Sequence, residues 1–162
     1  MKPTRKIALL VAVIVAWILL DQWTKSLFGG AAPGTLFGSV LGGLVDIRLV
    51  HNTGAAWGMF AGNTAALGIF SLAVVAALIA YFFWDIKSMN AVQTVAIALI
   101  AAGGIGNVID RFAQGYVTDF IAVTFIDFPV FNVADIGVTC GVALLFIGFI
   151  VAWRQEADKS GK

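Results

Sequence analysis

Charge is what this chain has least of. Only 12% of its 162 residues are charged, while 60% are hydrophobic. A soluble domain carries about 25% charged and 45–50% apolar residues. Half the usual charge cannot cover the surface of a soluble 17.1 kDa globule, and a mean hydropathy of +0.97 points the same way. A soluble domain and a disordered chain are therefore excluded. The net charge of +1 supplies no basic field for a polyanion, so nucleic acid is not a partner. A single cysteine, Cys140, excludes an internal disulfide framework. With a single histidine, His51, no multi-cysteine or HExxH zinc site can be built, and no metal is expected. There is no GxSxG elbow and no Walker loop. Gly104-Ile105-Gly106 begins a GxGxxG pattern, but position 109 is Ile. Small residues there suit close helix packing. What remains is a small integral membrane protein forming one domain over residues 1–162.

A spanning helix needs about 20 mostly apolar residues. Ala65–Trp84, Ala91–Ile109 and Ile136–Trp153 meet that need without an internal charge. The run Ile7–Leu20 is shorter and spans only if the helix continues through Asp21 and Lys25 to about Phe28. That puts Asp21 and Lys25 near a membrane face, where lysine can snorkel. The competing reading of the N-terminus is a cleaved signal peptide, but small residues fit for cleavage come only at 29–32, beyond the charged stretch. The expected architecture is an all-α integral membrane protein with four transmembrane helices, at about 7–28, 65–84, 91–109 and 136–153. A small β-rich extracytoplasmic part is expected from residues 29–63 and 111–135.

Lys2, Arg5, Lys6, Lys87, Arg154, Lys159 and Lys162 fall on the side of the termini, against Lys25, Arg48 and Arg111 on the other. By the positive-inside rule both termini are cytoplasmic. The acids divide the opposite way. Asp21, Asp46, Asp110, Asp119, Asp127 and Asp135 sit at or beyond the outer face, and any chemistry is expected there.

Residues 29–63 hold half of the eighteen glycines, which suits turns rather than a helix. Val45–Leu49 alternates as a short strand, and His51-Asn52-Thr53-Gly54 reads as a turn. The following Ala55–Phe60 is apolar, and Trp57 fits the interfacial aromatic belt. By glycine content, residues 55–63 are expected to move over a bound substrate. Tyr116–Ile121 is again strand-like, and Phe128-Pro129 breaks any helix.

With metals and thiols gone, carboxylates are the remaining catalytic equipment. Asn107, Asp110 and Arg111 share one helix face; they form either a site wall or a helix-end ion pair and cap. Asn132 and Asp135 open the fourth span as N-cap and N3, which suits a capping pair. An acid entering an otherwise uncharged span is also a functional candidate. Asp119 lies among Val117, Phe120, Ile121 and Val123, which raises its pKa if it faces inward. Asp21 and Lys25 pair at i, i+4. Cys140 reads as a small packing residue between Gly137 and Gly141, and His51 as a turn residue. Two carboxyls brought together share one proton, so one can take a proton from water while the other donates to a carbonyl oxygen.

Five motifs stand in order: Asp21-Gln22-Trp23-Thr24-Lys25, Asn52-Thr53-Gly54-Ala55-Ala56-Trp57, Gly103 to Arg111 (GGIGNVIDR), Val117-Thr118-Asp119-Phe120-Ile121 and Phe131-Asn132-Val133-Ala134-Asp135. In these the chain resembles the lipoprotein signal peptidase (type II signal peptidase) family over roughly residues 7–153. It departs at Ile136, where the family commonly has Ser or Thr. The resemblance implies a monomeric aspartic endopeptidase of the bacterial inner membrane, without cofactor. It would cut diacylglyceryl-modified prolipoproteins before the lipid-bearing cysteine. It implies Asp119 and Asp135 as the catalytic pair, with Asn52, Asn107, Arg111 and Asn132 contacting substrate or supporting the pair. Asp21 and Lys25 would be structural members of the site. Physics alone leaves Asp110 with Asp135 open as the alternative pair. An ion or proton carrier is the rival from another class, but the spans lack ionisable groups through their depth. A non-enzymatic scaffold is the third reading.

Overall fold

The computed structural model describes residues 1–54 and 62–160. Four helices are long and apolar enough to cross a membrane: α1 (Pro3–Ser26), α2 (Thr64–Trp84), α3 (Ala91–Gln114) and α4 (Val133–Ser160). Three strands, β1 (Leu36–Val40), β2 (Val45–Asn52) and β3 (Val117–Val123), form one antiparallel sheet in the order β1-β2-β3. β1 and β2 lie between α1 and α2, and β3 lies between α3 and α4. The apolar run 55–60 with Trp57, and the motion expected of 55–63 except at Gly62 and Asn63, fall outside the described residues.

Helix α3 is the centre of the bundle: 67% of its most apolar window is buried, against 11% for α1, 17% for α2 and 22% for α4. Water gives no drive for helices to associate within lipid, so close backbone packing must supply it. Small residues on α3 allow this. A Cβ at Gly103 would collide with the Ala134 carbonyl oxygen of α4, and one at Gly106 would lie 2.5 Å from Asp21 Oδ2 of α1. From the other side, a Cβ at Gly141 would stand 2.7 Å from the Ala96 carbonyl oxygen. α1, α2 and α4 all pack on α3, while among the described residues no comparable packing joins α2 to α4. A cavity lies between them, with Ser71 of α2 and Asp135 and Cys140 of α4 in its lining.

Local sequence sets both ends of α3 and the start of α1. Pro3 occupies the first turn of α1, where its missing N–H costs nothing. α3 starts in a capping box: the Asn90 side chain accepts from Gln93 N–H and the Gln93 side chain accepts from Asn90 N–H, both at 2.9 Å. α3 stops at Gly115, whose φ of 79° is the left-handed conformation glycine adopts readily. It thus runs five residues past Ile109, because glycine and not charge ends it. Asp110 and Arg111 remain helical, with partners inside the fold.

Two sequence expectations fail in the sheet. β2 does not end at Leu49; it runs through His51 and Asn52, which pair with Thr118 and Val117 of β3. His51 is a strand residue stacked on Tyr116, with ring centroids 3.7 Å apart, and not a turn residue. The turn begins at Asn52, whose side-chain oxygen accepts from Gly54 N–H at 2.9 Å. β1 forms in the same glycine-rich segment, where only Val45–Leu49 had read as a strand.

Candidate active site

The strands matter because they deliver one acid to the helices. Phe131 bonds to β3 in both directions: its carbonyl accepts from Phe120 and Ile121 N–H, and its own N–H donates to Ile121. This ties the start of α4 to β3, so Asn132 lies beside Asp119. Asn132 Nδ2 donates to Asp119 Oδ1 at 2.7 Å and to Asn107 Oδ1 at 2.9 Å. Asn107 Nδ2 in turn donates to Asp135 Oδ1 at 2.8 Å. Asn52 Nδ2 donates to the other Asp119 oxygen at 3.0 Å. Three amides from three elements thereby hold Asp119 and Asp135 in one network.

Asp135 is the capping residue its position suggested, and it also lines a cavity. Its backbone N–H donates to Asn132 Oδ1 at 3.0 Å, and its Oδ2 accepts from Asn132 N–H at 3.1 Å, a reciprocal cap. Its Oδ1 is simultaneously held by Asn107. Capping and site membership therefore coexist in one carboxylate.

A cavity of about 550 Å³ opens over this network. Asp119, Asp135, Asn52, Asn107 and Arg111 line it, together with Gly103, Gly104, Ser71 and the Phe128–Phe131 segment. Asp21, Lys25, Asp110 and Asn132 do not line it; they are buried behind it. The candidates thus separate into five that reach the cavity and four that support it. Arg111 Nη2 donates to the Gly54 carbonyl at 3.3 Å, and among the described residues its Nε has no hydrogen-bond partner.

Lys25 does not snorkel. It is 4% exposed and its Nζ lies 2.9 Å from Asp21 Oδ2, 3.1 Å from Asp110 Oδ2 and 3.0 Å from Asn107 Oδ1. Neighbouring carboxylates and an amide oxygen replace water around the ammonium, which makes burial tolerable. Asp110 Oδ1 accepts from Gln22 at 3.2 Å and Oδ2 accepts from Thr118 N–H at 3.0 Å. Gln22 and the Thr118 amide are site members the sequence reading passed over. Gln22 had a signal, an uncharged polar residue within a motif at the end of a span. A backbone amide has none. Cys140 is also different from expectation: it is exposed and lines the cavity rather than packing in the bundle.

Electrostatics separate the acids further. Among the described residues Lys25 bridges Asp21 and Asp110, while no salt bridge reaches Asp119 or Asp135. Burial pushes the Asp119 carboxyl up to about 7, and the nearby Asp135 charge adds to this; hydrogen bonds from Asn52 and Asn132 and the Lys25 charge work against it. A carboxyl that titrates near neutrality suits proton transfer.

Four membrane-length helices over a cavity walled by two aspartates define a multi-pass membrane protein equipped for acid–base chemistry. The family model for signal peptidase (SPase) II matches residues 13–151. A lipoprotein signal peptidase of Deinococcus radiodurans is 36% identical over 166 residues, covering 92% of this chain and 81% of the relative. One from Staphylococcus aureus is 36% identical over 158 residues, covering 96% and 94%. A solved bacterial membrane enzyme superposes with a TM-score of 0.80 at 34% identity, covering 89% of this chain and 88% of that one. The chain belongs to the signal peptidase II family, and is a bacterial multi-pass membrane protease of that family.

Proposed function

We propose that this protein is an aspartic endopeptidase that removes signal peptides from diacylglyceryl-modified prolipoproteins, cutting before the lipid-bearing cysteine. The carrying observation is the amide network that joins Asp119 and Asp135 at the wall of the cavity. Asp119, titrating near 7, carries the shared proton. Asp135, at a helix N-terminus, holds the negative charge. In the hydrolytic step Asp135 takes a proton from water as the oxygen attacks the scissile carbonyl carbon. Asp119 gives its proton to the carbonyl oxygen. Collapse of the tetrahedral diol then breaks the C–N bond: Asp135 passes its proton to the leaving nitrogen and Asp119 takes one from a diol hydroxyl, which yields the new carboxyl and amine and returns the pair to its starting state. No metal is needed for this balance.

Asp110 is the weaker partner for Asp135 because its two oxygens are already taken by Gln22, Lys25 and the Thr118 amide, away from the cavity. Asn52 and Asn132 orient Asp119, Asn107 orients Asp135, and Arg111 offers a cation at the cavity wall. The cavity between α2 and α4 supports lateral access for a substrate held in the bilayer by its signal helix and acyl chains. The seven cations on the side of the termini support a single membrane domain with both termini in the cytoplasm, residues 29–63 and 111–135 outside, and the site at the outer face of the inner membrane. A working monomer is part of this reading.

The test incubates the purified protein in detergent with a diacylglyceryl-modified precursor beside its unmodified form. Cleavage of the first alone is expected. A precursor left uncut, or two forms cut at the same rate, would overturn the reading.

A further inference from the structure

The buried ion cluster behind the cavity has a geometry that charge balance alone does not require. Asp21 Oδ1 accepts from the backbone N–H of Ala134 at 2.9 Å. Asp110 Oδ2 accepts from the backbone N–H of Thr118 at 3.0 Å. Ala134 immediately precedes Asp135, and Thr118 immediately precedes Asp119. The two carboxylates belong to different helices, α1 and α3, and the two amides to a third helix and a strand. Lys25 joins the carboxylates, at 2.9 Å and 3.1 Å, and Gln22 Nε2 lies 3.1 Å from Asp21 Oδ2 and 3.2 Å from Asp110 Oδ1. Asp21 and Asp110 are 0% exposed, and none of the three charged residues reaches the cavity.

Each amide is held from outside its own element. Ala134 is the second residue of α4, and the first turn of a helix has N–H groups with no partner in the helix. The α4 cap, Asn132, serves Asp135 N–H, so the amide before it is left for Asp21. A third arm runs through Lys25. An ammonium only donates, so the Asn107 side chain must turn its oxygen to Lys25, which leaves its NH₂ for Asp135.

We propose that Asp21, Lys25 and Asp110 act as one positioning clamp, in which each carboxylate holds the backbone N–H just before one of the two cavity aspartates and the lysine locks the two holds together. The proposal rests on Asp119 and Asp135 being the catalytic pair. The clamp sets the distance and angle between two acids carried by separate elements. A displacement of about 1 Å in such a pair can cost on the order of 100-fold in rate.

The experiment measures kcat and KM separately on a diacylglyceryl-modified precursor in detergent micelles, with a melting curve for each variant. It compares Asp21→Ala with Asp21→Asn and Asp110→Ala with Asp110→Asn. Both substitutions remove the charge, but asparagine retains an oxygen for the backbone N–H and alanine does not. The clamp requires kcat to fall by about 100-fold in the alanine variants with KM nearly unchanged, and asparagine to restore a clear part of the loss. Equal losses for asparagine and alanine would reduce the cluster to charge balance and overturn the proposal. Lowered melting temperatures with unchanged kcat in the folded protein would overturn it as well. If the alanine variants do not fold, the asparagine pair decides through amide NMR of labelled protein. Asp21→Asn must shift the Ala134 amide proton upfield and Asp110→Asn the Thr118 proton, and unmoved amides overturn the clamp. Failure of the underlying reading looks different, because Asp119→Asn or Asp135→Asn would then keep cleaving the precursor.

Discussion

Helix α1 buries a lysine near each end, and the two ends of the molecule satisfy it by different means. Lys6 is 3% exposed and its Nζ donates to the carbonyl oxygens of Ile86 and Lys87, at 2.7 Å and 3.0 Å. These lie in the short link between α2 and α3, so the lysine fastens that link to α1. Lys25 is 4% exposed and is held by two carboxylates and an amide oxygen. Carbonyls satisfy a cation without adding titratable groups. Carboxylates bring charge, and at this end there are four of them, Asp21, Asp110, Asp119 and Asp135, against Lys25 and Arg111. Lys25 is occupied by Asp21 and Asp110, and among the described residues no salt bridge reaches the remaining two acids. The difference separates an end that only holds from an end that, on the proposed function, holds and reacts.

The largest expected effect is at the reacting end. Asp119→Asn and Asp135→Asn, each the size of the native residue, should lower kcat on the lipid-modified precursor by at least about 10³-fold, with the helical circular dichroism of the wild type retained. Cleavage retained by either variant would mean that the outer acids only balance charge, and the contrast with Lys6 would vanish.

A smaller effect separates the ends by pH. Asp119 is held up to about 7 in the folded protein, against about 3.9 when unfolded. Between these values the folded state keeps a proton that the unfolded state has lost, so stability falls as pH rises through that window. Melting temperature should therefore decline from pH 5 to pH 8, and Asp119→Asn should flatten the decline. Activity should also fall above about pH 7 as the proton needed by the carbonyl oxygen is lost. A variant whose melting curve keeps the slope of the wild type would assign the pH dependence elsewhere.

The smallest effect is at the holding end. Lys6→Met leaves the Ile86 and Lys87 carbonyls without their donor and should cost about 1–3 kcal/mol of stability. The kcat of the folded protein should not change, since Lys6 lies at the opposite end of α1 from the cavity. A fall in kcat comparable to that of the outer variants would show that the two ends are coupled.

Four spans were legible because an apolar run of membrane length has few other structural outcomes. The cap of α4 at Asn132 and Asp135 was legible because capping is local chemistry. The end of α3 was read five residues early, since Asp110 and Arg111 looked like a boundary while their partners lie far along the chain. β1 was not legible: all five of its residues are exposed, so no alternation of buried and exposed positions marks it. His51 and Asn52 were read as a turn because their strand partners, Thr118 and Val117, are more than sixty positions away. The Asp21–Lys25 pair was legible at i, i+4, but the sequence does not display Asp110, the second carboxylate that makes water unnecessary for Lys25.

The sequence by itself determined the solvent of this protein, its four helices and the short roll of acids from which any chemistry must come. Scarcity of charge and the length of apolar runs are properties of the chain alone. Which acids face the cavity was decided only by tertiary structure. Asp110 and Asp119 stand in equally recognisable motifs, but one turns into a closed ion cluster and the other to a cavity wall. Burial, hydrogen-bond saturation and the proximity of a second carboxylate arise between elements distant in sequence, and those are the quantities that tell a structural carboxylate from a reactive one.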